Sequence, residues 1–165
     1  MVEHMGEQRY EKLKLAVIGE LMSKAGNQRK AIIHLAGVAD LCALIALRRG
    51  LDPELCKCAG LLHDLWLYIS FPVTGDMHRR HGYFGAAHAQ DILASLELFT
   101  QDEIDRICEM IYNHNDKNLT HNIWCEALKD ADALEHYLNN SDYDKRYRYG
   151  DRIDRLREEF GIEQL

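Results

Sequence analysis

The sequence predicts an all-α protein, folded as a single compact bundle of six or seven helices. Apolar residues recur at helical spacing along most of the 165 residues. Only two prolines occur, Pro53 and Pro72, and both fall where helices should start or break. No segment shows the strict alternation typical of a strand. At this length we expect one domain over residues 1–165, large enough to bury a substantial core.

Six helices follow from the apolar spacing and from the residues that cap it. They are predicted over Glu7–Ala25, Arg29–Arg49, Pro53–Tyr68, His81–Leu98, Gln101–Asn113 and His121–Asn139. Asp52 is the expected N-cap of the third helix, with Pro53 in its first position. Thr100 and Glu103 predict a capping box for the fifth.

The remaining segments are predicted as loops or as a charged tail. Residues 70–80 and 115–120 lack helical spacing, which predicts loops there. The charged segment 141–160 would be a seventh helix. Tyr147 or Tyr149 in this tail could stack on a base, whereas mixed charges more often form a salt-bridged helix face.

Charge and composition limit the classes of partner. Lys and Arg total 20 against 27 Asp and Glu, a formal net charge of −7. This balance argues against non-specific binding to nucleic acid or to an anionic membrane, but it leaves room for a nucleotide in a locally basic cleft. No apolar run is expected to cross a bilayer, and Met1–Tyr10 lacks the apolar core of a secretory signal. Five cysteines, read as reduced buried thiols, predict a cytoplasmic protein.

His63 and Asp64 stand side by side in the apolar helical stretch Cys58–Trp66. An ionised carboxylate is costly to bury unless it is paired or bound to a metal. His34 and Asp132 lie in other predicted helices with apolar neighbours. Together these groups would form a nitrogen–oxygen shell that suits Mn²⁺, Fe²⁺, Co²⁺, Ni²⁺ or Zn²⁺, with Mg²⁺ as a further option. A lone histidine is more often a surface or hydrogen-bonded core residue, so spacing alone only suggests that the four converge.

Five elements follow one another along about residues 30–138: His34, Ala59–Asp64, His81–Ala86, Ile111–His114 and Asp130–Leu134. Their order and spacing resemble the HD-domain superfamily of metal-dependent phosphohydrolases. The resemblance implies an all-α, HD-domain-like fold and a metal held by the first histidine, the His-Asp doublet and a late aspartate. On this sequence the implied ligands are His34, His63, Asp64 and Asp132. Asp130 is then expected beside the ligands or on the helix surface.

The resemblance also implies a second ion, as in some family members, at positions that correspond to His81 and His114. Asp64 is expected to ligate the first ion and to orient or deprotonate the attacking water. His81 and His114 are expected either to complete the second site or to contact the phosphate as protonated donors. The predicted catalytic residues are therefore Asp64, His81 and His114, with one or two divalent ions as cofactor.

The chain departs from the family pattern directly after the doublet. Many relatives continue with Ile-Gly-Lys, whereas this chain has Leu65-Trp66-Leu67, and the glutamate that some family nucleotidases carry nearby is also missing. Another group must therefore contact the phosphate. The candidates are Arg79, Arg80, His88 and Lys117. Guanidinium groups suit phosphate, although arginines in a loop are as often solvated, and His88 could equally be packed or exposed.

These features predict a metal-dependent phosphohydrolase that cleaves a phosphoester of a small phosphorylated metabolite, with a nucleotide as the first choice. Two other functions stay open at this point. One is a sensor that binds a metal and a nucleotide without turnover, and the other is an HD-type oxygenase with a di-iron pair. The chain could also pair as a homodimer.

Overall fold

The computed structural model describes residues 3–24, 28–70, 72–139 and 149–162. The helices there are α1 (Glu3–Met22), α2 (Gln28–Arg49), α3 (Pro53–Leu62), α4 (Leu65–Ile69), α5 (Gly75–Arg79), α6 (His81–Leu96), α7 (Gln101–Asn113), α8 (Ile123–Asn139) and α9 (Gly150–Phe160). These described ranges contain no strand, which confirms the all-α class. Within them, seven helices have ten residues or more, and α4 and α5 have five each.

α2 packs against both α3 and α8, and α6 packs against α7. Leu35, Val38, Cys42 and Ile45 are buried along α2, at the alternating three- and four-residue spacing of an amphipathic helix. Burying each large apolar side chain of this kind contributes about 1.5–3 kcal/mol. The core therefore holds α2 and its neighbours in fixed relative positions.

α2 is also long and apolar enough to cross a membrane, by length and composition alone. The prediction that no apolar run has this character is therefore wrong. Of the apolar stretch of α2, 44% is buried inside the bundle. The core helix of a soluble protein can have the same length and composition.

Both predicted caps are present. Asp52 accepts hydrogen bonds from the backbone N–H groups of Glu54 and Leu55 at 2.8 and 3.1 Å. Thr100 and Glu103 form the reciprocal capping box of α7. These caps depend on residues within one helical turn, so local sequence was sufficient to predict them.

The predicted third helix is divided by the His-Asp doublet. α3 ends at Leu62 and α4 begins at Leu65, because the Asp64 backbone leaves the helical region (φ −113°, ψ 7°). The Asp64 side chain makes no capping hydrogen bond to α4. Its carboxylate is therefore free to face the interior of the bundle.

Other helix boundaries differ from the prediction by a few residues. The first helix begins at Glu3 and its last described turn ends at Met22; Ala25 lies outside the described residues. The predicted loop 70–80 contains α5, which begins at Gly75, a residue with a φ of +61°. α8 begins at Ile123 because Asn122 Oδ1 accepts from two backbone N–H groups at its start. α6 ends at Leu96, where the next residue is left-handed.

Two glycines allow neighbouring helices to cross at contact distance. A Cβ atom at Gly60 of α3 would lie 2.7 Å from the Cα of Ala39 in α2. A Cβ atom at Gly82 of α6 would lie 2.6 Å from the carbonyl oxygen of Tyr112 in α7. These crossings set the separation of the helices that carry the predicted site residues.

The C-terminal helix α9 is held to the bundle by buried charges. Arg152 contacts Asp130, and its Nη1 donates to Glu126 at 2.9 Å. Arg49 Nη2 lies 2.6 Å from Asp130 and 2.7 Å from Glu159. Asp130 is therefore neither a surface residue nor a partner of the predicted ligands: its charge is balanced by two arginines. Residues 140–148, including Tyr147, lie outside the described ranges.

Candidate metal centre

Four side chains from α2, the α3–α4 turn and α8 meet at one point. His34 Nε2 lies 3.2 Å from His63 Nε2. Asp64 Oδ2 lies 3.7 and 3.6 Å from these two nitrogens, and Asp132 Oδ1 lies 3.6 and 3.7 Å from them. Donor atoms around one tetrahedral ion, at bond lengths of about 2.1 Å, lie about 3.4 Å apart. These five separations are close to those between ligands of a single cation, and the donor atoms of His34, His63 and Asp132 all lie within 4.8 Å of one another.

The surroundings of the Asp132 carboxylate show whether a cation fits this position. Among the described residues, its Oδ1 is buried and has no hydrogen-bond partner. An unsatisfied buried acceptor costs about 1–3 kcal/mol, and more when it is charged. A divalent ion coordinated by this oxygen and the two Nε2 atoms would remove that cost, so the residues fit the group that the resemblance implies.

The second oxygen of Asp64 faces a different pair of histidines. Asp64 Oδ1 lies 3.3 Å from His81 Nε2 and 3.2 Å from His114 Nε2. These two nitrogens are 3.1 Å apart. We call His34, His63, Asp132 and Asp64 Oδ2 the first donor set, and His81, His114 and Asp64 Oδ1 the second donor set. A carboxylate that directs one oxygen to each of two donor sets would bridge two ions if both were bound. The geometry accommodates one ion or two.

Each histidine of the two donor sets is oriented by a hydrogen bond from its other ring nitrogen. With Nδ1 protonated, the acceptors are Glu135 Oε2 for His34 (2.6 Å), Gly60 O for His63 (2.7 Å), His78 O for His81 (2.6 Å) and Ile111 O for His114 (2.6 Å). This tautomer leaves the Nε2 lone pair of every ring directed at Asp64 and Asp132. Such outer hydrogen bonds fix the orientation of metal-binding imidazoles and raise their basicity.

Glu135 and His136 were not predicted as part of the site. Glu135 is buried against His34, and His136 Nε2 lies 3.3 Å from Asp132 Oδ1. They follow Asp132 by three and four residues, which is the spacing of one helix face. That spacing could have indicated both residues once Asp132 had been chosen.

The charges of the cluster are strongly coupled. Burial opposes the ionisation of Asp64, but electrostatic interaction with His63 and hydrogen bonds with the other histidines hold its pKa well below its usual range. Burial lowers the pKa of His34, but hydrogen bonds to two carboxylates and a third negative charge raise it to about 10. In the metal-free cluster His34 is therefore protonated on both ring nitrogens at neutral pH. A divalent ion bound at Nε2 would displace the proton there, so metal binding would be coupled to proton release.

Lys117, a predicted phosphate contact, lies against the first donor set. Its Nζ donates to Asp132 Oδ2 at 2.5 Å and to the carbonyl oxygen of His114 at 3.2 Å. Burial opposes the ionisation of Asp132, but the charge of Lys117 holds the Asp132 pKa well below its usual range. Because Lys117 occupies Oδ2, Asp132 offers only Oδ1 to a cation.

A cavity of about 540 Å³ opens beside His81. Its lining consists of His78, Arg79, Arg80, His81, Tyr83, Tyr112, Asn113, Asn115 and Asp116. The volume falls within the range of small-molecule sites, about 300–1,000 Å³. The structure therefore places the phosphate candidates Arg79 and Arg80 in a cavity that reaches one member of the histidine cluster.

The structure does not bring His88 to this cluster. Its Nε2 lies 2.7 Å from Glu20 Oε2 in α1. Seven residues separate it from His81, which corresponds to about 10 Å along a helix. His88 therefore links α6 to α1 through Glu20. This position does not support His88 as a phosphate contact.

Comparison with known proteins points to the same family. The HD domain family matches residues 31–157. Ribonuclease Y of Aliarcobacter butzleri (strain RM4018) is 29% identical over 120 residues, 73% of this chain and 21% of that protein. Ribonuclease Y of Campylobacter fetus subsp. fetus (strain 82-40) is 30% identical over 118 residues, 72% of this chain and 20% of that protein.

The chain spans about a fifth of the length of these two relatives. No solved structure gives a significant match. The match to the HD domain covers most of the chain and includes every residue of the two donor sets. This protein belongs to the HD domain family.

Proposed function

We propose that this protein is a metal-dependent phosphohydrolase that cleaves a phosphoester of a nucleotide with a metal-activated water. One observation carries the proposal: the two oxygens of Asp64 face two different donor sets, each completed by histidine Nε2 atoms at 3.2–3.7 Å. Nitrogen and carboxylate donors in this number suit a divalent transition metal. Mn²⁺, Fe²⁺, Co²⁺, Ni²⁺ and Zn²⁺ are the first ions to test, followed by Mg²⁺.

In this proposal His34, His63, Asp64 and Asp132 hold the first ion, and His81 and His114 complete a second site with Asp64. A bound divalent ion lowers the pKa of water and polarises a phosphoryl oxygen. Asp64 is the group that orients the attacking water, because its carboxylate lies between the two sets. Its low pKa keeps it ionised and able to accept a hydrogen bond from that water.

The surrounding cations would bind the substrate phosphate. Arg79 and Arg80 lie in the cavity next to His81, and planar guanidinium groups match phosphate oxygens. Lys117 lies closer to the donor atoms but is already paired with Asp132 at 2.5 Å. Arg79 is also paired, with Asp76 at 3.2 Å. We therefore assign the phosphate contact to Arg80 first, and a charge-balancing role at Asp132 to Lys117.

RNA is the second candidate substrate, because the chain is similar to ribonuclease Y over 73% of its length. The net charge of −7 disfavours non-specific binding along a phosphate backbone. An RNA substrate would therefore be bound through a few nucleotides near the cavity, and its reaction would be the same phosphoester cleavage.

The decisive experiment is a substrate panel with the purified protein and added Mn²⁺, Co²⁺ or Ni²⁺. We expect inorganic phosphate from nucleoside monophosphates, and shortened products from an oligoribonucleotide if RNA is cleaved. Metal analysis of the same sample reports how many ions are bound. Metal and nucleotide binding without turnover would favour a sensor, and bound iron with O₂ consumption would favour an oxygenase; either result would overturn the proposal.

A further inference from the structure

We propose that the cavity beside His81 is a nucleoside-binding subsite in which the Tyr83 and Tyr112 rings hold the base and Arg80 holds the phosphate. The proposal rests on the proposed function and names the part of the substrate that this surface recognises. The ligand is a nucleoside phosphate, supplied either as a free nucleotide or as the terminal nucleotide of an RNA strand.

The two tyrosines form an aromatic corner that faces solvent. Tyr83 is 49% and Tyr112 54% exposed, although large aromatic side chains usually bury more of their surface. Their ring centroids are 6.3 Å apart, and the ring planes meet at 73°. A planar base could stack on one ring and contact the edge of the other, which is how aromatic platforms bind bases of any sequence.

Arg80 places a positive charge over the Tyr83 ring of this corner. Its guanidinium carbon lies 5.1 Å from the centre of the Tyr83 ring. Among the described residues, no carboxylate forms an ion pair with Arg80, whereas Arg79 pairs with Asp76 at 3.2 Å. Arg80 is also the residue directly before His81 in the chain. His81 also lines the cavity, and its Nε2 lies 3.3 Å from Asp64 Oδ1. A phosphate bound by Arg80 would therefore share the cavity with a histidine that contacts Asp64.

The other side chains of the cavity suit a nucleoside better than a simple sugar phosphate. The amide nitrogens of Asn113 and Asn115 donate to the backbone carbonyl oxygens of Glu109 and Arg79, respectively. Their side-chain oxygens can accept hydrogen bonds from the edge of a base. Asp116 brings a carboxylate, which can accept hydrogen bonds from sugar hydroxyls. The volume of about 540 Å³ leaves room for a base and a sugar together.

Equilibrium titration calorimetry tests the subsite directly. The full chain is titrated with a nucleoside monophosphate, with ribose 5-phosphate and with inorganic phosphate, in chelator so that nothing is turned over. We expect the nucleotide to bind at least about 10-fold more tightly than ribose 5-phosphate, because only the nucleotide can stack. Equal binding of the two would overturn the proposal.

Single substitutions then separate the two parts of the subsite. Tyr83→Ala or Tyr112→Ala should weaken nucleotide binding by about 10-fold and leave ribose 5-phosphate unchanged. Arg80→Ala should weaken both ligands by about 10-fold. Phe160→Ala, which removes a partly exposed aromatic ring from α9, is the matched control and should change neither. If the tyrosine variants bind the nucleotide like wild type while remaining folded, the subsite is refuted.

A short oligoribonucleotide with a terminal phosphate identifies the source of the ligand. Tighter binding than the mononucleotide, with the same dependence on Tyr83 and Tyr112, supports the end of a strand. Weaker binding, with that dependence kept for the mononucleotide, supports a free nucleotide. Absence of binding by either would overturn the inference. Tyrosine-dependent binding without turnover under any metal would refute the proposed function alone.

Discussion

Asp64 Oδ1 lies 3.2 Å from His114 Nε2, although 50 positions separate the two residues in the chain. The other oxygen of the same carboxylate lies 3.6 Å from His63 Nε2. Asp64 can take this position because the backbone leaves the helix at the doublet, between α3 and α4. The Asp64 carboxylate therefore lies between His63, directly after α3, and His114, directly after α7.

Replacing Asp64 should affect both donor sets together. We expect Asp64→Asn to lower phosphatase activity by more than about 100-fold and to reduce the number of bound ions, because one charged ligand is lost from each set. Phosphate release and metal content, measured on the same preparation, check this. Asp154→Asn, at an exposed carboxylate of α9, is the control and should behave as wild type. Full metal content and activity in the Asp64 variant would contradict the role assigned here.

Glu135→Gln tests the hydrogen bond that orients His34. The Glu135 carboxylate lies 2.6 Å from His34 Nδ1 and is buried, so the neutral amide should leave this ring less basic and less well held. We expect metal affinity to fall by about 10–100-fold while helical content stays constant. Competition with a chelating dye measures the affinity, and circular dichroism the fold. Glu158→Gln, on the exposed face of α9, should not change the affinity; an unchanged affinity in the Glu135 variant would refute the link to His34.

Gly82→Ala tests the crossing of α6 and α7. The added methyl group would meet the Tyr112 carbonyl oxygen at 2.6 Å, so the helices must separate. We expect the free energy of unfolding to fall by about 1–3 kcal/mol and metal binding at His81 and His114 to weaken. Urea unfolding measures the first effect. Gly19→Ala is the matched control, since a Cβ there meets nothing within 4 Å and should stabilise α1 by about 0.5–1 kcal/mol. Equal stability of the two variants would contradict the close crossing.

Glu126 should make the stability depend on acid pH. Burial opposes its ionisation, but hydrogen bonds from the His121 backbone, Lys129 and Arg152 lower its pKa from 4.5 to about 2. Because the folded pKa lies below the unfolded one, the carboxylate stabilises the fold above pH 4.5, and this contribution is lost as the pH falls through about 2. We expect Glu126→Gln to be less stable than wild type at neutral pH.

The difference between wild type and the Glu126 variant should shrink as the pH falls between 4.5 and about 2. Urea unfolding at a series of pH values measures it. Glu158→Gln, which changes an exposed carboxylate, should stay close to wild type throughout. A difference that grows towards acid pH would show that Glu126 is not held ionised by its partners.

Local sequence was sufficient for much of the helical architecture. The caps at Asp52 and Thr100 depend on side chains that bond to the next turn, and both were predicted. The short helix α5 was not predicted, and the third helix was predicted to continue past Asp64 to Tyr68. At Asp64 the apolar spacing continues through the doublet, and a helix of one turn leaves almost no periodic signal.

The donor sets could be predicted only in part, since periodicity does not report which distant residues meet. The order of motifs indicated His34, His63, Asp64 and Asp132, and the structure brings these four together. The pairing of Lys117 with Asp132 joins a loop to α8 and has no local signal. The two arginines that bind Asp130 come from α2 and α9, so the sequence could not separate the role of Asp130 from that of Asp132.

Because Gly60 and Gly82 have no side chain, they determine which substitutions the bundle can tolerate. At both crossings the limit of approach is set by backbone atoms, namely the Ala39 Cα and the Tyr112 carbonyl oxygen. Exchanges among aliphatic side chains elsewhere in the bundle should therefore alter melting temperature without moving the imidazoles relative to one another. Variation in the interior is therefore compatible with a constant arrangement of the histidines, as long as these two positions carry only hydrogen.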